Sequence, residues 1–528
     1  MYPISLLVFF AFVVLLFYRR FRLHRRQGSL PLPPGPKGLP LIGNLWDIPA
    51  EYPWLTYAKW SATYGDVLYL DTPGSPTIIL NSAQATTELL EKRSGNYSDR
   101  PGLSELYLQL PRILIFHISD MHMMFLAGWN FSLALMRYSD WWRQDASEDV
   151  PSIFSASRPS ILLSSTIEGH VSLATTTAAV SRQFVPACSH AGSIIMKTVY
   201  GYDVEPDGDR FVDLVDQAMI SIRLGLTNGT FLVDLLPILK NVPDWFPGAK
   251  FKKLAQRWRE NVEEMREEPF RYAAESVAKG TAPSSFVSEN LKNIKQNGVS
   301  ESETYLEIIK NASGVAFAAG ADTTVSTVLS AILAFVLYPE VLAKAQAELD
   351  EVVGQCRLPN FDDRPQLPYI DAVLSEALRW NPVVPMGVAH RSMKDDVYKG
   401  YYIPGGATVI GNAWAILHDE KDYPNPLMFD PERFMKKEGQ QSPPDPTIAF
   451  GFGRRICPGR HLASNTAWIA IASIASTLSL SKAVDSDGHV IEPSDTFTGE
   501  SMSFPLPFKC VFKARSTQAQ ALIDSEHC

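Results

Sequence analysis

Cys457 stands in a glycine-rich, basic loop, Phe450-Gly-Phe-Gly-Arg-Arg-Ile-Cys-Pro-Gly-Arg460, with helix-forming sequence after it. Main-chain amides in such a loop, and at the N-terminus of the following helix, favour a thiolate. A thiolate can act as a nucleophile or as a metal ligand. As a nucleophile it lacks an evident base, because His461 lies four residues on without a local triad signature. Zinc needs three or four protein ligands, and Cys457 with His461 supplies two. Haem iron needs only one protein thiolate, which the loop's own amides would hydrogen-bond.

A second group lies in Ala319-Gly320-Ala321-Asp322-Thr323-Thr324. A hydroxyl beside a carboxylate can relay protons into a dry pocket. Gly320 would leave room there for a small molecule. The same residues would also suit a capped or kinked core helix. Glu376-Ala-Leu-Arg379 sets opposite charges at i and i+3, on one helix face. Taken alone, that is the pattern of a solvated ion pair.

The elements that must hold these residues follow from pattern. Ser300 with Glu303 makes a capping box and Tyr338-Pro339 stops the run, so one helix is expected over about 302–337. Its middle, GVAFAAGADTTVSTVLSAILAFVL, is apolar nearly all round. Asp322 and two threonines near its centre would be costly in lipid, so a helix buried through a large globular core is expected. Pro339 opens a further helix that Gly354 closes, and Leu367–Trp380 is helical up to Asn381-Pro382. Val67–Leu70 and Thr77–Leu80 flank the turn DTPGSP as a hairpin, and Val397–Asn412 reads as short strands. The expected fold class is mainly α with small β-sheets, without internal repeats.

The chain has 528 residues, 46% apolar and 20% charged, which excludes a disordered chain and a coiled coil. Its net charge of −9 is unevenly spread: residues 1–46 hold six basic side chains and no acid, leaving 42 basic and 57 acidic residues beyond, a net of −15. So acidic a body excludes bulk nucleic-acid binding. Residues 1–18 are apolar and as a helix would span about 27 Å. The basic run RRFRLHRR follows that stretch, and no A-x-A-like cleavage site does. A single-pass anchor with the rest in the cytosol is therefore expected over a cleaved signal peptide. The proline-rich residues 30–45 read as a stiff spacer. The expected organisation is an anchor at 1–18, a basic and proline-rich hinge at 19–45, and one domain at 46–528. The five cysteines, odd in number and irregularly spaced, form neither a disulfide framework nor a CxxC site. The four N-x-S/T sequons, at Asn96, Asn130, Asn228 and Asn311, would stay unglycosylated on a cytosolic face.

The pattern F-x-x-G-x-R-x-C-x-G, here Phe450, Gly453, Arg455, Cys457 and Gly459, resembles the haem-binding loop of the cytochrome P-450 superfamily. By chance it would occur in such a chain on the order of 10⁻⁴ times. The resemblance implies that Cys457 is the axial thiolate of haem b, that Arg455 pairs with a propionate, that Phe450 packs beside the sulfur, and that Gly453 and Gly459 permit a tight loop close to the macrocycle. Asp322 and Thr323 match the family's oxygen-binding motif. Glu376, Arg379 and Arg433, the last within Pro431-Glu-Arg-Phe434, resemble its buried structural network. Trp142-Arg143 and His390-Arg391 are further propionate candidates. The likeness covers about residues 30–103, 121–143 and 184–515, and HRSMKDDVYKGYYIP and MKTVYGYDV look like fungal members, nearest to O-methylsterigmatocystin oxidoreductases.

What the resemblance implies is a monooxygenase of the endoplasmic-reticulum membrane, acting on a lipophilic small molecule in secondary metabolism or xenobiotic oxidation. Only 71 residues follow Cys457, so electrons are expected from a separate NADPH-dependent flavoprotein reductase, docked near Arg454 and Arg460. The region before Trp129, residues 221–248 and Val383–Val388 would line the pocket, and residues 243–251, PDWFPGAKF, would either dip into the membrane or form an ordinary loop. The pattern breaks in two places. Four residues after Trp142 stands Ala146 instead of the family's Arg, and residues 144–183 hold 13 Ser or Thr. Residues 104–120 look extra. These breaks suggest a retained intron and a mis-spliced stretch in the transcript. The alternatives to a monooxygenase are a haem-thiolate isomerase or dehydratase, or a relic unable to hold haem.

Overall fold

The structure, a computed structural model, describes residues 25–40, 42–72, 76–101, 122–139, 176–180, 186–205, 208–226, 231–235, 237–245, 248–297, 303–435 and 442–525. The expected anchor at 1–18, Trp142 and Arg143, residues 104–120, and residues 144–183 except 176–180 lie outside them.

Among the described residues the longer elements run as follows. Helix α1 (Pro53–Tyr64) leads into the hairpin β1 (Val67–Leu70) and β2 (Thr77–Leu80), and β3 is Thr176–Val180. Helices α2 (Pro186–Tyr200), α3 (Arg210–Gly225), α4 (Lys250–Lys279) and α5 (Phe286–Asn297) precede the 35-residue α6 (Glu303–Leu337). Then come α7 (Pro339–Val352), α8 (Pro368–Trp380), and the strands β4 (His390–Arg391), β5 (Asp396–Tyr398), β6 (Tyr401–Ile403) and β7 (Thr408–Gly411). Helix α9 (Arg460–Thr477) and strands β8 (Leu478–Val484), β9 (Val490–Ile491) and β10 (Phe508–Ala514) complete the set. The sheets are small, in the orders β1-β2-β7-β4, β3-β10-β8-β9 and β5-β6. Mainly helical with small sheets is thus the observed class.

Helix α6 is the axle of the molecule, and its two halves serve different cores. Its C-terminal half, from Val325 to Val336, packs with α7, α8, α9, β8 and β10. Its N-terminal half, Ile309 to Ala318, packs with α2, α3 and α4. Burial on all sides explains an apolar pattern without a polar face, as expected of a core helix. The polar residues Asp322 to Thr324 lie at the seam between the two cores, beside a cavity. The helix ends at Leu337 because Pro339 bars the helical conformation at Tyr338.

The proline-rich segment lies against two sheets. The amide of Tyr69 in β1 donates to Pro34 O (2.9 Å), and that of Tyr402 in β6 to Pro31 O (2.8 Å). A Cβ on Gly35 would stand 2.1 Å from Tyr69 O, so only glycine permits this approach. Thr176–Val180, part of the stretch whose composition departs from the family's, pairs antiparallel with β10.

Candidate active site

The cavity at the seam has a volume of about 410 Å³. Helix α6 lines it with Ala312, Ala316, Ala319, Gly320, Thr323 and Thr327, a spacing of three and four residues that keeps one face turned inward. Val383, Val384 and Val388, after α8, supply an apolar wall. The sequence expectation of Val383–Val388 as pocket lining matches this placement.

Phe450, Arg455, Cys457 and Gly459 also line the cavity. The loop is closed by the Cys457 amide donating to Phe450 O at 2.8 Å, and α9 starts directly behind it. Amides of Gly459 and Arg460 point to the sulfur, and the Arg460 charge adds to them, yet burial outweighs all three and pushes the thiol up. The expectation that the loop alone favours a thiolate is corrected on this point: desolvation wins, and the thiolate calls for a cation across from it. Gly453 does not line the cavity. Its φ is +56°, and a Cβ there would stand 2.0 Å from Leu90 O, in a π-helical turn over Thr87–Lys92. The close approach it permits is to that turn.

At one edge of the cavity three nitrogen-bearing side chains converge. Arg455 is buried, donating Nε to Ser98 O (2.8 Å) and Nη2 to Met136 O (2.9 Å). His390 in β4 is buried and bonded through Nδ1 to Tyr97 O (2.8 Å). The third, Arg100, escaped the sequence reading. It is 3% exposed, and donates to Ala134 O (2.9 Å), Val388 O (2.7 Å) and Ala389 O (2.9 Å). Burial pulls Arg100 well below the ordinary guanidinium value, the Arg455 charge pulls it further, and Asp99 only opposes this. Burial likewise lowers Arg455 to about 10, and it lowers His390, with Arg100 adding to the effect. Two buried guanidinium groups and an imidazole that burial keeps neutral thus share one edge of the cavity. Arg391 is not among the cavity-lining residues, because neighbouring residues of a strand point to opposite faces.

Thr323 opens onto the cavity, with Oγ1 donating to Ala319 O at 2.8 Å. Asp322 does not. It is 1% exposed and forms an ion pair with Arg223 of α3 (3.0 Å). Adjacent residues on a helix stand about 100° apart, so the acid and the alcohol expected to act as a pair face different ways. Gly320 lines the cavity, but a Cβ on it would meet Ile195 Cδ1 of α2 at 2.5 Å. The space it spares is taken up by helix packing.

Behind the cavity, Glu376 and Arg379 are fully buried and bound through two hydrogen bonds of 2.8 Å each, with Arg433 Nε 3.1 Å from the same carboxylate. Arg379 also donates to Leu417 O and Met428 O, so helix, loop and carboxylate lock together.

The cytochrome P-450 family model matches residues 187–503. A cytochrome P-450 monooxygenase of Armillaria gallica is 40% identical over 98% of this chain and 98% of its own. The chain belongs to the cytochrome P-450 family. It is a haem-thiolate monooxygenase, an oxidoreductase that incorporates one atom of O2, and it draws electrons from a redox partner. Other fungal relatives include the cytochrome P-450 monooxygenase ple1 of Rhodocybe pseudopiperita (40% identity, 93% of this chain, 91% of that one) and a tryptamine 4-monooxygenase of Psilocybe cyanescens (36%, 94% and 95%). Among solved structures, a zebrafish cytochrome P-450 with abiraterone shares the fold, with a TM-score of 0.67 at 23% identity over 88% of this chain and all of that one. The relatives' names favour the monooxygenase over the isomerase or dehydratase reading.

Proposed function

We propose that this cavity holds haem b, with Cys457 as the axial thiolate and Arg100, His390 and Arg455 meeting the propionates. The observation that carries this reading is the donor set: one cavity joins the buried thiol of Cys457 to two buried guanidinium groups, Arg100 and Arg455, and the buried imidazole of His390. A metal porphyrin with carboxylate arms supplies a cation for the thiol and anions for the guanidinium groups in one molecule. Haem, when bound, supplies the activation of O2 and the insertion of one oxygen atom into a C–H bond. The protein's share is to bury that chemistry, to hold Thr323 Oγ1 where it can pass a proton, and to pack substrate against the α6 face. Phe450 closes the cavity beside the sulfur. The Glu376–Arg379–Arg433 network fixes α8 behind it.

The substrate proposed is an uncharged, lipophilic small molecule. Among the described residues the cavity wall is mostly apolar, with Val383, Val384 and Val388 facing the alanines of α6, which suits such a molecule. The setting proposed is the endoplasmic-reticulum membrane, with residues 1–18 as anchor, the body in the cytosol and electrons from an NADPH-dependent flavoprotein reductase near Arg454 and Arg460. Trp46 and Trp245, 77% and 80% exposed, support a lipid-facing side, the second within PDWFPGAKF.

The test is the carbon-monoxide difference spectrum of the reduced, full-length protein. A thiolate-type Soret band is expected, and Cys457→Ala should abolish it while Cys356→Ala leaves it intact. A protein that binds haem with no such band, or keeps the band in the Cys457 variant, would refute the assignment.

A further inference from the structure

The hairpin that closes around residues 496–506 turns through Gly499 to Met502, and its base is held by Leu506 N donating to Thr496 O at 3.0 Å. Its tip has no sheet to join, yet it enters the interior: Met502, Ser503 and Phe504 are 4%, 1% and 7% exposed. Polar main-chain groups carried there must find partners. Ser503 meets this need through four hydrogen bonds to two separate elements, the longest from Asn381 Nδ2 to its carbonyl at 3.4 Å. Its amide donates to Val383 O (2.8 Å), and its hydroxyl donates to Asn381 Oδ1 (2.7 Å). Its carbonyl accepts from Ser326 Oγ of α6 at 2.6 Å. Asn381 Nδ2 then returns to α6 at Ser330 Oγ (3.1 Å). Ser326, Ser330 and Asn381 are buried as well.

The position of this knot gives it a consequence for substrate. Asn381 caps α8, and Val383, Val384 and Val388 form the apolar wall of the cavity that faces α6. Ser326 lies one residue before Thr327 and three after Thr323, both of which line the opposite side. The same hairpin tip reaches α3, where Ser501 Oγ donates to Arg223 O at 3.1 Å. The width of the cavity between the Val383–Val388 wall and α6 is thus spanned by polar bonds through one residue, three at its main chain and one from its hydroxyl. Apolar packing alone would not fix it so closely, because it is non-directional.

We propose that Ser503, held by Ser326 and Asn381, is a positioning residue that sets the spacing of the Val383–Val388 wall from α6, and so the bulk of molecule admitted beside Thr323. The proposal rests on the reading of the cavity as the haem site. Loss of the Ser503 hydroxyl removes the donor that holds Asn381 Oδ1 at the start of the wall and so loosens its position, while the bonds of Asn381 Nδ2 and the valines themselves stay unchanged.

The experiment uses haem-loaded full-length protein and two azoles that bind haem iron through nitrogen and differ in bulk, methylimidazole and phenylimidazole. Spectral titrations give their affinity ratio. Ser503→Ala should shift that ratio by about fivefold, the size a single hydrogen bond carries, and Ser503→Thr should restore it. Ser326→Ala should shift it in the same direction, and it alone decides if the Ser503→Ala protein fails to load haem. A purely structural role would lower thermal stability and scale both affinities together, leaving the ratio within about twofold of the original. That result overturns the proposal. The carbon-monoxide band, recorded on the same samples, separates this outcome from failure of the haem assignment itself.

Discussion

Asp322 and Arg223 lie 99 residues apart in sequence and 3.0 Å apart in space, as an ion pair between α6 and α3. The carboxylate side chain is 2% exposed and the guanidinium 17%, so the pair sits in surroundings where charges interact strongly. The acid that the sequence pattern sets beside Thr323 is committed to the neighbouring helix.

A double-mutant cycle on Arg223→Met and Asp322→Asn measures that commitment. Denaturant unfolding of the haem-loaded variants should give a coupling energy above ~1 kcal/mol, the ceiling for exposed pairs. Arg223→Met should be the more damaging single change, because it removes the counter-charge of the deeper partner. A coupling near zero would show the contact to be incidental.

Arg100 carries a second expectation. Arg100→Met should fold but retain less than about half the haem per chain, since it removes one of the two guanidinium groups at the edge of the cavity. Arg100→Lys should recover only part, lacking the planar fork that reaches three carbonyls at once. Haem content per chain, from the pyridine haemochrome assay, checks both. Full haem in the methionine variant would remove Arg100 from the site.

His418 predicts a pH dependence. Burial, reinforced by the Arg379 charge, takes it from its ordinary 6.5 down to about 3, while its ring stacks on Trp414 and donates to Trp414 O. Between those values the unfolded chain binds a proton that the folded chain refuses, so stability rises with pH. Unfolding free energy should be level above about pH 7 and fall by at most about 1.4 kcal/mol per unit below 6.5 from this group. His418→Phe, which keeps the stack, should flatten that slope in urea titrations. An unchanged slope would assign it elsewhere.

Much of this architecture was legible in the sequence because its signals are local. The capping box and Tyr338-Pro339 bound α6 to within a residue, the hairpin β1–β2 pairs the two apolar runs that flank DTPGSP, and Glu376-x-x-Arg379 has the spacing of one helix face. What escaped depends on convergence. Arg100 gains its place from carbonyls 34, 288 and 289 residues away, and no local pattern marks it. Asp322 stands next to Thr323 in sequence, but its partner Arg223 lies 99 residues away on α3, and no local pattern marks that pair. Gly453 was correctly read as a position that tolerates no side chain, but the atom it must clear, Leu90 O, lies in another part of the chain.

The proline-rich arm has a mechanical consequence. Pro31 is bonded to β6 of one sheet and Pro34 to β1 of another, and β1 belongs to the sheet whose far edge carries His390. Any pull on the amino end is therefore shared between two sheets and delivered to the rim of the cavity without a slack link. Ahead of Leu30, Gly28 takes a φ of +61° with open space beside it, and Arg26 before it pairs with Asp395. The arm thus couples the amino end of the described chain to the sheet that carries His390 through main-chain bonds, which a change of side chain at Pro31 or Pro34 would not by itself remove.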